Sequence, residues 1–153
     1  MAVKSKKKAL KSLTQSKVVS IGEYRSLRQG REAQSIAIVT SDQKFFDTMK
    51  SNLPTFLEIK NFDGRFSFEQ AVKSKEWDAL ILDEREMKDD AIGLCEKLKR
   101  QAQMDELLVI ILSNDSSKER VRAGLEKGCD EWVTKPEDVG GLVRLLDHHL
   151  NFK

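Results

Sequence analysis

From Ser35 onward the chain alternates short, nearly continuous apolar runs with amphipathic stretches, and that alternation leaves few folds open. The runs are Ile36-Ala37-Ile38-Val39, Phe56-Leu57-Glu58-Ile59, Ala79-Leu80-Ile81-Leu82, Leu107-Leu108-Val109-Ile110-Ile111-Leu112 and Glu131-Trp132-Val133. Three of them are almost unbroken Ile, Val and Leu, the pattern of parallel strands covered on both faces. Between the runs, apolar residues recur at helical spacing. Phe45, Phe46, Met49 and Leu53 form one stripe, and Phe68, Ala71 and Val72 begin a second. Ile92, Leu94, Cys95 and Leu98 mark a third, Val121 and Leu125 a fourth, and Val139, Leu142, Val143, Leu145 and Leu146 a fifth. Cap-type residues stand ahead of the stripes at Asp42, Ser67, Asp90, Ser116 or Ser117, and Asp138, and Gly128 stands where a helix should stop. Five strands alternating with five helices predict a doubly wound α/β sandwich with right-handed crossovers.

The first 34 residues are a different object. They carry nine Lys/Arg against two Glu, a net +7, whereas residues 35–153 carry 18 Lys/Arg against 23 Asp/Glu, a net −5. The expected division is a flexible basic arm over 1–34 and a globular domain over 35–153. Within the arm, Val18, Ile21, Tyr24 and Leu27 fall on one helical stripe, so a short element there is the alternative to an unstructured leader. Residues 4–31 could meet nucleic acid or another anionic surface through their lysines and arginines. With 39% hydrophobic and 34% charged residues the chain reads as a globular protein. No apolar run approaches the roughly 18 residues of a membrane span, and no apolar stretch follows the leading lysines as in a secretory signal. Cys95 and Cys129 lack metal-ligand spacing and read as packed free thiols, which together with the missing signal implies a cytoplasmic protein.

In a doubly wound sheet the chemistry gathers at the carboxyl ends of the strands. Those ends read Thr40-Ser41-Asp42 after the first, Asp83 after the third, Ser113-Asn114 after the fourth and Thr134-Lys135-Pro136 after the fifth. A carboxylate, a hydroxyl and a lysine brought together suit phosphoryl transfer. The carboxylate can carry an acyl phosphate, while the hydroxyl and the ammonium hold its oxygens. The plainer alternative is a structural ion pair and hydrogen-bond cluster that ties the loops together.

These residues carry a resemblance. Residues 35–150 resemble the receiver domain of two-component response regulators. Asp83 closes WDALILD as that family's phospho-accepting aspartate does, and Ser113 closes LLVIILS thirty residues later. Lys135-Pro136 follows 22 residues further on, in GCDEWVTKP, which looks like the family's Lys-Pro segment and puts Trp132 at its aromatic switch position. The resemblance implies a flavodoxin-like (βα)5 fold with strand order 2-1-3-4-5, a phosphate-holding role for Ser113 and Lys135, and a cis bond before Pro136. It also implies docking through the fourth helix, fifth strand and fifth helix, with a histidine kinase or a downstream signalling protein as partner.

Two departures limit it. The family ends its first strand with two adjacent acids that bind a divalent cation. Here those positions are Thr40 and Ser41, and only Asp42, one residue on, is acidic. A one-residue slip turns a strand side chain to the opposite face, so Asp42 is no automatic substitute. Mg²⁺ is therefore expected to bind weakly, through Asp42 and Asp83 alone. The loop after the aspartate also departs, with Glu86-Met87 and Asp90-Ala91 in place of the family's Met-Pro and Asp-Gly, and Arg85 stands at the metal-carbonyl position. Lys135 is expected to pair with Asp83 directly, and Arg85 to neutralise Glu84, Glu86, Asp89 and Asp90.

Function then reads as two-component or phosphorelay signal transduction by a single-domain, atypical receiver. The balance falls narrowly toward phosphate-independent protein–protein docking over a switch phosphorylated at Asp83. The alternative is a nucleic-acid-associated protein that binds through its Lys-rich arm. An enzyme beyond self-phosphorylation is not expected, because no other base, metal or cofactor set assembles. Gly140-Gly141 follows no strand, and His148 and His149 point about 100° apart on a helix, so neither makes a nucleotide or metal site. The sequence ends soon after these histidines, and no helix-turn-helix output unit is expected.

Overall fold

A computed structural model describes residues 34–64, 67–69, 77–87, 91–101, 106–135 and 138–152. Five strands form one sheet: β1 (Ser35–Val39), β2 (Glu58–Phe62), β3 (Ala79–Asp83), β4 (Leu108–Ser113) and β5 (Glu131–Thr134). Every pairing is parallel and the order is β2-β1-β3-β4-β5, as expected. The described helices are α1 (Gln43–Asn52), α2 (Ala91–Arg100), α3 (Lys118–Glu126) and α4 (Gly140–Leu150), with a 3₁₀ turn over Glu84–Met87 and residues 67–69 also helical. The basic arm, the Asp90 cap, Ala71, Val72 and Pro136 lie outside the described residues, and so does the peptide bond before that proline.

The central strands are apolar on both sides because both sides are covered. Alternate residues face opposite ways. Ala37, Val39, Leu80, Leu82, Val109 and Ile111 pack with Leu94, Cys95 and Leu98 of α2. Ile36, Ile38, Ile81, Ile110 and Leu112 pack with Phe45 and Met49 of α1 and Leu142 and Leu146 of α4. Each large side chain so buried contributes roughly 1.5–3 kcal/mol. Both cysteines are buried and free, and burial pushes the thiols up, Cys95 to about 12 and Cys129 to about 11.

Two expectations need correction. The second strand runs Glu58–Phe62 rather than Phe56–Ile59, and Phe56 is 49% exposed. Phe62, not Phe56, reaches the core, where it meets Phe68 and Trp77 edge-on at 5.6 and 5.7 Å between ring centres. In α3 the core-facing residue is Gly124, and Leu125 is 47% exposed. A Cβ on Gly124 would lie 2.5 Å from Cε3 of Trp132, so the absent side chain makes room for an aromatic ring.

The cap signals hold at α1 and α3. Asp42 accepts from the Phe45 N–H at 3.0 Å and Ser117 accepts from the Arg120 N–H. Asp138 sits one residue before the cap position of α4 and accepts from the Gly140 N–H. Gly128 ends the turn after α3 at φ +109°, which a side chain would oppose. Gln34 already belongs to the folded part, since its side-chain amide donates to the Leu150 carbonyl at 2.9 Å.

Candidate functional site

The parallel register brings the strand ends level. Val39 pairs with Leu82, Asp83 with Leu112 and Ser113 with Thr134. The residues just past these positions therefore meet at one end of the sheet, and Asp83, Thr40 and Ser113 are all buried there.

Asp83 is surrounded by donors. Its Oδ2 accepts from the Thr40 hydroxyl at 2.9 Å and from Lys135 Nζ at 3.2 Å, and its Oδ1 accepts from the Arg85 N–H at 3.2 Å. Lys135 also donates to Asp42 Oδ2 at 2.9 Å, a shorter bond than the one to Asp83, and lies 5.5 Å over the Phe45 ring. The lysine thus bridges two carboxylates instead of pairing with Asp83 alone. Asp42 joins the site because it is the cap of α1: Oδ1 is fixed on the Phe45 N–H, which leaves Oδ2 to face Lys135. The Lys135 ammonium, followed by the Phe45 N–H, holds the Asp42 carboxyl below the ordinary 3.8. Thr40 supports the same geometry by accepting from the Asp42 N–H at 3.0 Å while donating to Asp83. Ser41 is exposed.

Arg85 departs from its expected role. Its guanidinium lies 3.8 Å from Asp83 and 3.9 Å from Asp42, and the side chain is 55% exposed. Glu84, which Arg85 was expected to neutralise, is instead buried and bound by Arg120 and by the Ser113 hydroxyl. Asp89, Asp90 and the side chain of Glu86 lie outside the described residues.

Ser113 therefore does not share a hydrogen bond with Asp83. Its hydroxyl donates to Glu84, lies 3.1 Å from the Asp115 carbonyl, and accepts from the Asp115 N–H at 2.9 Å. A hydroxyl has one proton to give, and a carboxylate is the stronger acceptor. Trp132 is half-buried on β5 and donates its indole N–H to the Asp115 carbonyl at 3.1 Å. Sequence reasoning named Glu84 only as part of an acidic loop facing Arg85, and it missed Arg120, Asp115 and Gly124.

Mg²⁺ demands near-octahedral oxygen ligands. All four carboxylate oxygens of Asp42 and Asp83 already accept from a donor, and two cations stand beside them. The donor set does not fit a divalent cation. Elsewhere among the described residues, no group of three His, Cys, Asp or Glu is placed to hold a metal.

Comparison with known proteins agrees with the geometry at the level of fold. Response regulator ArlR of Staphylococcus aureus is 27% identical over 104 residues, which is 61% of this chain and 46% of that protein. The signal receiver domain of a DNA-binding response regulator from Colwellia psychrerythraea 34H superposes with TM-score 0.70 at 20% identity, covering 78% of this chain and 99% of that one. The described domain has the response-regulator receiver fold. An atypical orphan response regulator, reported with a phosphorylation-independent regulatory mechanism, matches at TM-score 0.68 and 14% identity, over 78% of this chain and 98% of that one. No protein-family model matches. The chain spans about half the length of the curated relatives it matches. Among the described residues of this receiver fold, no helix is long and apolar enough to cross a membrane.

Proposed function

We propose that this chain acts in two-component or phosphorelay signalling as an atypical receiver, docking onto protein partners without depending on phosphate. The observation that carries this reading is the saturation of the pocket. Lys135 Nζ bridges Asp42 and Asp83, Thr40 donates to Asp83, and each of the four carboxylate oxygens already accepts a hydrogen bond. In a phosphorylating receiver the aspartate must attack phosphorus while cations neutralise the incoming oxygens. Here the two nearest cations already balance two carboxylates, one for one. Asp83 is then a structural anchor, and its phosphorylation a suppressed reaction.

Docking would use α3, β5 and α4. β5 is an edge strand, Trp132 is half-buried on it, and Leu125 of α3 is exposed. Histidine kinases or downstream signalling proteins are the partner class. The test is a ¹⁵N-labelled chain exposed to acetyl phosphate, or a beryllofluoride mimic, with Mg²⁺. Amide shifts around Asp83 should stay unchanged, and Asp83→Asn should be less stable by about 1–3 kcal/mol because Lys135 loses part of its partner. A saturable shift in the wild type, absent in an Asp83→Asn variant of unchanged stability, would establish a working phosphate switch and end this reading.

A further inference from the structure

Beside the Asp83 cluster lies a second one, centred on Glu84, to which the expected pocket chemistry gives no anionic role. Glu84 is buried, 7% exposed, and sits immediately after the strand that presents Asp83. One oxygen takes the Ser113 hydroxyl and the other takes the Arg120 guanidinium. From these two bonds, two chains of contacts run to the same indole. Ser113 accepts from the Asp115 N–H, and the Asp115 carbonyl accepts from Trp132 Nε1 at 3.1 Å. The Arg120 guanidinium carbon stands 5.7 Å from the centre of the Trp132 ring. The ring also lies against α3 at Gly124, one turn on from Arg120, where a Cβ would lie 2.5 and 2.7 Å from its Cε3 and Cζ3.

We infer that Glu84 is a built-in anionic latch, a positioning residue whose buried carboxylate holds Ser113, Arg120 and through them Trp132 in one arrangement. Chemically it supplies to the Ser113 hydroxyl the negative oxygen that a phosphoryl group would otherwise offer. A buried carboxylate stripped of water is stable only with such donors, so the three residues are mutually dependent. Charge explains the choice of partners: the hydroxyl alone could not neutralise Glu84, and Arg120 comes from the first turn of α3, which carries the loop and the helix along with it. The result is a fixed relation between the β4–α3 loop, α3 and the aromatic residue of β5.

This inference goes beyond phosphate-independent docking and does not need it, because the latch is read in the protein alone. The measurement is hydrogen exchange in the ¹⁵N-labelled full chain, followed at two probes: the Trp132 indole N–H and the Asp115 amide N–H. The other tryptophan, Trp77, is buried against Phe62, with ring centres 5.7 Å apart, and serves as the internal reference. In Glu84→Ala both probes should exchange about tenfold or more faster than in the wild type, relative to the Trp77 indole, since each loses its charge-assisted support. Arg120→Gln should release the Trp132 indole while leaving the Asp115 amide closer to the wild-type rate. Glu84→Gln, which keeps the shape and an acceptor for Ser113, should resemble Arg120→Gln. If Glu84→Ala does not fold, the two milder variants carry the same signals. Wild-type protection at both probes in every variant that folds would overturn the latch. A phosphodonor response at Asp83, by contrast, would leave these exchange rates as evidence for the latch while ending the docking reading above.

Discussion

Asp83 and Glu84 are neighbours in sequence, yet they build two different halves of the pocket. Asp83 closes β3 and turns toward β1 and β5, where it meets Thr40, Lys135 and, through the lysine, Asp42. Glu84 opens the following turn and faces β4 and α3, where it meets Ser113 and Arg120. The strand ends at Asp83 and the 3₁₀ turn begins at Glu84, so the change of backbone direction between them separates the two side chains. The halves also differ in how they are balanced. The Asp83 half shares two cations between two carboxylates, and one of those cations, Arg85, is 55% exposed. The Glu84 half sets one carboxylate against one arginine that is 29% exposed, with a hydroxyl completing it. A pocket that a divalent cation and a phosphate would unify is here divided into two self-neutralised clusters.

The largest effect should come from removing the bridge in the first half. Lys135→Ala leaves Asp42 and Asp83 facing each other with only the exposed Arg85 nearby. Stranding a buried charge costs about 3–5 kcal/mol, and the 33% exposure of the Asp42 side chain places this loss at about 3. Urea unfolding measures it. Adding Asp42→Asn should restore part of the loss, because the repulsion then disappears. A Lys135→Ala variant as stable as the wild type would mean that the two carboxylates do not depend on the lysine.

In the second half the corresponding perturbation is steric. Gly124→Ala gains about 1 kcal/mol of helix propensity, yet it drives a methyl group into the Trp132 ring. Overpacking of that kind costs about 1–3 kcal/mol, and a rigid indole held at its N–H cannot yield as a flexible chain would. The expected net loss is about 1 kcal/mol by thermal melting, with a shift in Trp132 emission that Lys135→Ala does not produce. A stabilised variant with unmoved emission would show that the ring is free to slide.

The two halves were unequally legible. The sheet order was available only through the family resemblance, whereas the α1 cap at Asp42 and the gathering of Asp83 and Lys135 follow from cap-type and strand-end residues, which are local signals. The bridging position of Lys135 was not visible, because it depends on Asp42 being held by its own helix. In the Glu84 half Ser113 and Trp132 were named, but the links that join them through Glu84 and Arg120 were missed. Arg120 lies 36 residues from Glu84, and no periodicity links an arginine in the first turn of one helix to an acid after a distant strand. Phe56 misled because an apolar residue near a strand reads as part of it, while the residue that met Phe68 and Trp77 was Phe62.

Acid should act on the first half through Asp42. The Asp42 carboxyl is held below the ordinary 3.8 by Lys135, then by the Phe45 N–H. A group whose folded value is depressed contributes stability that is complete above its unfolded value and fades as pH falls through the folded one. Melting temperatures recorded from pH 6 down to pH 2 should therefore begin to lose this contribution below about pH 4. Asp42→Asn should have a shallower acid limb than the wild type. An equally steep limb would assign the acid sensitivity to other carboxylates.

The smallest effect belongs to Arg85. Its guanidinium stands 3.8 and 3.9 Å from the two carboxylates, beyond hydrogen-bond reach, and more than half of the side chain is in water. Exposed pairs of this kind are screened and contribute roughly 0–1 kcal/mol, so Arg85→Ala should shift the urea midpoint very little. The variant is more informative for what it removes, a positive charge beside the two carboxylates of the pocket. If Lys135 alone closes the pocket, millimolar Mg²⁺ should leave the Trp132 and Trp77 fluorescence unchanged in both the wild type and Arg85→Ala. Saturation in Arg85→Ala but not in the wild type would show that the rim arginine, rather than the bridging lysine, keeps the metal out. Saturation in both would mean that the Lys135 bridge opens readily, and that the division of the pocket into two neutral halves is weaker than its hydrogen bonds suggest.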